Sequence, residues 1–244
     1  MNTPQHHPDK NLLTEYAAGT LARAPAIAVK THLHYCQKCR LEVRQLEEIG
    51  AALFVNSHNE QPTETTTASA TEATHDTHFV KLMSAIDDMG IPNESSNTAH
   101  ASTEENKTQH TLSSKYATLP ELVKKMMANH PLTWRRSTKN LRSASLIAGQ
   151  DQYAVSLQKI RAGSQVPEHE HLGDEMTVVL KGSFSDEDNI YQEGDFLAKS
   201  VGDKHRPMAS SNEDCLCLSV EQAPVRLTGM FTRLFNPFIS IARV

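Results

Sequence analysis

Two short stretches of this 244-residue chain place side chains that can do chemistry at close spacing. HLHYCQKC runs from His32 to Cys39, and HEHLGDE runs from His169 to Glu175. In the first, His32, Cys36 and Cys39 follow the spacing H-x3-C-x2-C. A helix ending near His34 and another starting near Cys36 would let these three side chains converge. Zinc takes four nitrogen or sulfur ligands in a tetrahedron, so a fourth must come from elsewhere. QHHPD, at residues 5–9, offers His6 and His7. The competing reading is a pair of buried thiols with surface histidines.

In the second stretch His169 and His171 are two apart, so on a strand they point to the same side. Glu175 follows, and His205 comes later in GDKHRP. Three histidines and a glutamate can close on one divalent metal: zinc, or manganese, iron or nickel with waters added. The competing reading is a set of exposed loop histidines. A third group is DCLCLSV, where Cys215, Cys217 and Ser219 alternate with Leu216, Leu218 and Val220. One strand face then carries both thiols. They are either small buried side chains or a redox-responsive pair, and residues two apart on a straight strand do not bridge easily.

The remaining sequence must position these groups. Residues 1–56 read as three helices, DKNLLTEYAAG, APAIAVKTHLHY and CRLEVRQLEEIGAALFV, with Leu46, Ile49 and Leu53 on one face of the last. So short a helical block makes a thin core, which usually needs a staple. Residues 57–77 and 91–115 are rich in Thr, Ser, Asn and Glu, poor in large apolar side chains, and expected to be disordered linker. Between them, residues 78–90 set Phe79, Leu82, Met83, Ile86 and Met89 on one helical stripe. The net charge of −5 is spread as +1 over residues 1–56, −6 over 57–115 and 0 over 116–244. No block is basic enough for direct nucleic-acid binding.

From residue 116 onward the pattern changes. LPELVKKMMANHP is a helix bracketed by Pro120 and Pro131, with Leu119, Leu122, Val123 and Met126 to pack on the domain C-terminal to it. Short β-like runs punctuated by glycine then predict a sandwich or jelly roll. No basic segment followed by an apolar run opens the chain, and no stretch approaches the ~20 apolar residues of a spanning helix. The expectation is a cytoplasmic protein without membrane association. In that reducing setting, close cysteine pairs point to metal or redox chemistry rather than structural disulfides.

Both stretches resemble known families. The early histidine and H-x3-C-x2-C, with His7 at the matching distance before His32, resemble the zinc-binding domain of ChrR-type anti-sigma factors. LLTEYAAGTL resembles that family's first helix. The resemblance implies zinc on His7, His32, Cys36 and Cys39, and leaves His34 outside. Gly163, His169, His171, Glu175 and Gly182 fit the first cupin motif, G-x5-H-x-H-x3-E-x6-G, throughout. Gly194, Gly202 and His205 fit the second, with Ser200 for its proline and Ala209 for its asparagine. A C-x-C late in the cupin is also similar to ChrR-type proteins.

The resemblance implies a two-domain α + β protein. A zinc-stapled helical anti-sigma domain would occupy residues 1–90 and a polar linker 91–115. A cupin-like jelly-roll β-barrel, the sensor, would occupy 116–244. The implied function is regulatory: 1:1 sequestration of an extracytoplasmic-function (group IV, sigma-E-like) sigma factor. Release would follow oxidative stress such as singlet oxygen or organic hydroperoxide. The alternative is a metal-dependent cupin enzyme, a dioxygenase or isomerase, with a zinc-stapled docking domain. The long acidic linker suggests loosely coupled domains.

Overall fold

The computed structural model describes residues 3–59, 116–129, 132–147 and 152–229. The stripe at 78–90, the segment 91–115 and all of 57–77 beyond Asn59 lie outside the described residues. By its contacts the chain divides into one compact unit of residues 1–55 with 116–244 and a second of 56–115.

The helices form as their local chemistry dictates. α1 (Lys10–Ala17) is capped by Asp9, whose carboxylate accepts the Leu12 N–H at 2.8 Å. Gly19, with φ +70°, takes the left-handed conformation that ends it. α2 (Arg23–Tyr35) carries Pro25 in its first turn, where the missing N–H costs no helical bond. Cys36 is extended and breaks α2 from α3 (Gln37–Asn59). α4 (Glu121–Asn129) starts after Pro120.

The rest of the described chain is built of strands. Six form one sheet in the order β1-β2-β3-β11-β5-β8: β1 (Arg135–Arg136), β2 (Leu141–Ile147), β3 (Ala154–Ile160), β11 (Cys215–Glu221), β5 (Glu175–Lys181) and β8 (Phe196–Lys199). β10 (Met208–Ala209), β6 (Ser183–Ser185) and β7 (Ile190–Gln192) form a second sheet. β12 (Val225–Leu227), β4 (His169–His171) and β9 (Lys204–His205) form a third. All these pairings are antiparallel. This is a cupin-like sheet domain, built of three sheets rather than one closed barrel.

β11 and β5 are buried on both faces, and two cores result. The inner one joins Ile160, Val179, Cys215 and Cys217 of the large sheet to Phe184, Tyr191 and Ala209 of the second. The outer one joins Val155, Leu157, Val178, Leu180, Leu216, Leu218 and Val220 to the helices. From α2 it takes Ile27, Ala28, Val29 and Leu33, and from the α4 region Leu119, Val123 and Met126. The thin helical core is therefore completed by the sheet. The loose coupling expected of the two halves gives way here to shared apolar burial.

The apolar face of α3 is only partly covered. Cys39, Val43 and Leu46 face inward, whereas Ile49 and Leu53 are 57% and 65% exposed. The stripe of α3 that meets the core lies near its start; the later apolar face is left to solvent among the described residues.

Because helices and sheet share one core, Leu218→Ala should lower stability by about 2–5 kcal/mol, the usual cost of such a cavity. Helical ellipticity and Trp134 fluorescence should then be lost together in a urea titration. Helical signal that outlasts the Trp134 transition would count against a single cooperative unit.

Two candidate metal centres

The first centre draws on three parts of the helical layer. His7 precedes α1, His32 lies in the last turn of α2, Cys36 is the break, and Cys39 opens α3. One ligand atom from each lies within 4.8 Å of all the others. Cys36 Sγ and Cys39 Sγ are each 3.4 Å from His7 Nδ1, and Cys39 Sγ is 3.4 Å from His32 Nε2. The edge of a tetrahedron with zinc–sulfur and zinc–nitrogen bonds of ~2.0–2.3 Å is of this size. Nδ1 of His32 donates to the Gly194 carbonyl at 2.7 Å, which fixes the tautomer and turns Nε2 toward the group. His6 is turned away; its ring packs on Tyr191 at 4.7 Å. His34 is exposed and packs edge-on against Tyr35.

Burial shapes the protonation of this centre. It drives His32 down to about 4, against the Gly194 bond that favours the cation. It also lowers His7, helped by Lys38. Burial, then the bond to Cys36, lifts the Cys39 thiol to about 12. The histidines are neutral, as metal ligands must be, and a bound metal would have to displace thiol protons.

The second centre lies inside the sheet domain. His169 and His171 sit on β4, His205 on the neighbouring β9, and Glu175 at the start of β5. Their ligand atoms again fall within 4.8 Å of one another. His205 Nε2 is 2.9 Å from His169 Nε2 and 3.1 Å from His171 Nε2, and Glu175 Oε2 is 3.2 Å from His171 Nδ1. Nδ1 of each ring faces an oxygen, of Pro167, Glu175 or Asp186, and a ring that keeps its proton there leaves the Nε2 lone pair free to meet a cation shared with the others. His169 Nδ1 donates to the Pro167 carbonyl at 2.9 Å. His205 Nδ1 faces Asp186 Oδ2 at 3.4 Å, and Lys199 stands over the same carboxylate. Burial lowers His171, and burial with His169 takes His205 down to about 4. Burial works to raise Glu175, but His171 and the Thr177 hydroxyl outweigh it and hold the carboxyl below its usual value.

Cys215 and Cys217 stand 3.6 Å apart, sulfur to sulfur, and both are buried free thiols. A register shift against β5 between Leu216 and Cys217 interrupts the straight strand on which they would stand well apart. The bond to Cys215, then burial, raises the Cys217 thiol well above its usual value.

Sequence reasoning missed several supporting groups. Ser219 and Thr177 donate to Glu175 Oε1 at 3.1 and 2.7 Å. Alternation along β11, which puts Ser219 on the thiol face, was the available signal. Ser219 also lies 3.1 Å from Glu221 Oε1, and Gln158 donates to that same oxygen. Asp195, which anchors the segment before His7, had no local signal at all.

The comparisons with known proteins fit this geometry. Residues 123–225 match the family described as the ChrR cupin-like domain. Over 98% of its length the chain is 30% identical to the anti-sigma-E factor ChrR of Cereibacter sphaeroides, and it covers 100% of that relative. The chain belongs to the ChrR family of anti-sigma factors. Among solved structures, the crystal structure of Rhodobacter sphaeroides SigE in complex with the anti-sigma ChrR matches with a TM-score of 0.63 and 28% identity. That match covers 90% of this chain and 99% of the other. These matches thus span the residues of both clusters, not the cupin-like domain alone.

Burial, then the charge of Glu175, lifts Glu221 from 4.5 to about 8. The folded state therefore holds this proton more tightly than the unfolded chain. The stability it contributes is complete below the unfolded value, falls as pH rises, and is lost above the folded one. Glu221→Gln keeps the oxygen acceptor without the charge. In urea titrations of metal-free protein the variant should gain on wild type between about pH 5 and pH 9. A stability difference that does not change with pH would refute the assignment.

Proposed function

We propose that this chain is a cytoplasmic anti-sigma factor that binds an extracytoplasmic-function sigma factor 1:1 and releases it under oxidative stress such as singlet oxygen or organic hydroperoxide. The observation that carries the reading is the whole-length match to ChrR, with the structural match to the SigE complex, in a chain that keeps both clusters. Sigma recognition belongs to residues 1–90, the linker to 91–115 and the sensor to 116–244. The exposed apolar face of α3, with Ile49 and Leu53, supplies partner contacts.

His7, His32, Cys36 and Cys39 hold zinc in this reading. Two thiols and two imidazoles, all but His7 buried, are the donor set that zinc prefers, and the metal supplies a structural staple there. His169, His171, Glu175 and His205 hold the second metal, zinc or else manganese, iron or nickel. That centre acts as a sensor rather than a site of turnover. Cys215 and Cys217 are redox candidates for a partial relay, and their burial requires the domain to open before an oxidant reaches them.

Purified full-length protein should form a 1:1 complex with the sigma factor and block its transcription. Cys39→Ser should lose the N-terminal zinc and sigma binding together, whereas Leu53→Glu should keep the zinc and weaken binding. Full zinc retention at that centre in Cys39→Ser would sink the ligand assignment.

The second centre faces the inside of the sheet domain, and the helices cover the outside. His169→Ala should therefore leave inhibition intact and abolish release. A sigma-dependent reporter in cells should stay silent when singlet oxygen or organic hydroperoxide is applied. A reporter that switches on as in wild type would remove the second metal from the response.

A further inference from the structure

The turn between β7 and β8 reaches the first centre from a distant part of the chain. Gly194 offers its carbonyl to His32 Nδ1 at 2.7 Å. Asp195 Oδ1 accepts the backbone N–H groups of Gln5 at 2.6 Å and His6 at 3.0 Å, and its Oδ2 accepts that of Gln192 at 2.8 Å. The Phe196 N–H donates to the His6 carbonyl at 3.1 Å, so the segment before His7 is paired to the head of β8. Phe196 also sets its ring against His32, with centroids 5.9 Å apart. Asp195 is 1% exposed, so its carboxylate makes these part-buried bonds from a buried position.

Steric fit keeps the turn close. Gly194 has φ +90°, and a Cβ there would stand 2.6 Å from Tyr35 Cβ and 2.8 Å from Pro4 Cγ. Only glycine allows its carbonyl to reach His32 past these side chains.

We propose that Asp195 and the Gly194 carbonyl are positioning groups of the N-terminal metal centre, so that the sheet domain fixes two of its four ligands. This rests on the reading that His7, His32, Cys36 and Cys39 bind zinc. Gly194 orients the ring of His32. Asp195 acts at one remove, holding the backbone of Gln5 and His6 and thereby presenting His7. Occupancy of the centre and attachment of the chain's first residues to the sheet are linked, and each strengthens the other.

Cobalt(II) titration of full-length protein tests this. Thiolate-to-cobalt charge transfer reports the first centre alone, because the second has no sulfur ligand. Wild type and Asp195→Ala should both develop the band. Affinity measured by zinc competition should fall ~10–100-fold in Asp195→Ala, as for other groups that orient metal ligands. Asp195→Asn, which retains one acceptor oxygen, should fall between. A normal band with unchanged affinity in Asp195→Ala overturns the positioning role and leaves the zinc reading standing. Absence of the band in wild type overturns both.

Hydrogen exchange gives an answer that does not need an Asp195 variant to fold. The amides of His6 and Phe196 should exchange at least tenfold faster in Cys39→Ser than in zinc-loaded wild type, while Leu218 at the sheet centre changes little. Equal protection of His6 and Phe196 in the two proteins refutes the linkage.

Discussion

The central strands β5 and β11 are apolar on both faces, and most of the structure stems from the need to cover them. Met176, Val178 and Leu180 point one way from β5, and Thr177 and Val179 the other. β11 alternates likewise between Leu216, Leu218 and Val220 and the face of Cys215, Cys217 and Ser219. A sheet with two such faces needs a layer on each. The second sheet covers the inner face, and α2 with the α4 region covers the outer. Neither layer has a core without the sheet between them.

This three-layer arrangement places the two clusters in different settings. The first lies at the seam between helices and sheet, where α2 breaks at Cys36 and the β7–β8 turn meets it. The second lies within the sheet domain, where three imidazoles and a carboxylate crowd together in low dielectric. In both, burial holds histidines neutral, and at the seam it holds a thiol protonated. Such sites are costly without a cation and become favourable with one. β8 touches both: Phe196 pairs with the segment before His7, and Lys199 reaches Asp186, which faces His205. The long acidic segment is the covalent connection between the halves, and the contacts of β8 with the segment before His7 add a non-covalent one.

The first halves of both clusters were legible in the sequence because their ligands are local. H-x3-C-x2-C spans one helix break, and H-x-H-x3-E spans one strand and the turn after it. The apolar alternation of β5 and β11, the Asp9 cap and the proline-started helices were equally local. The exposure of part of the α3 face was not legible for a related reason. Periodicity shows that Leu46, Ile49 and Leu53 share a helix side, but not whether another layer lies opposite.

Sequence alone determined residue types, spacings and the periods that turn them into helices and strands, and these fixed which side chains could gather around a cation. Spacing and resemblance also singled out His7 for the first group. Tertiary structure decided how that histidine is presented, which face of α3 goes uncovered, and that helices and sheet share one core. It also brought Asp195 to the backbone of Gln5, 190 residues away, and of His6. The physical reason is one of range. Backbone hydrogen bonding and side-chain period act within a few residues and leave a readable pattern. A backbone N–H that finds a distant carboxylate leaves none, because any residue but proline could supply that donor.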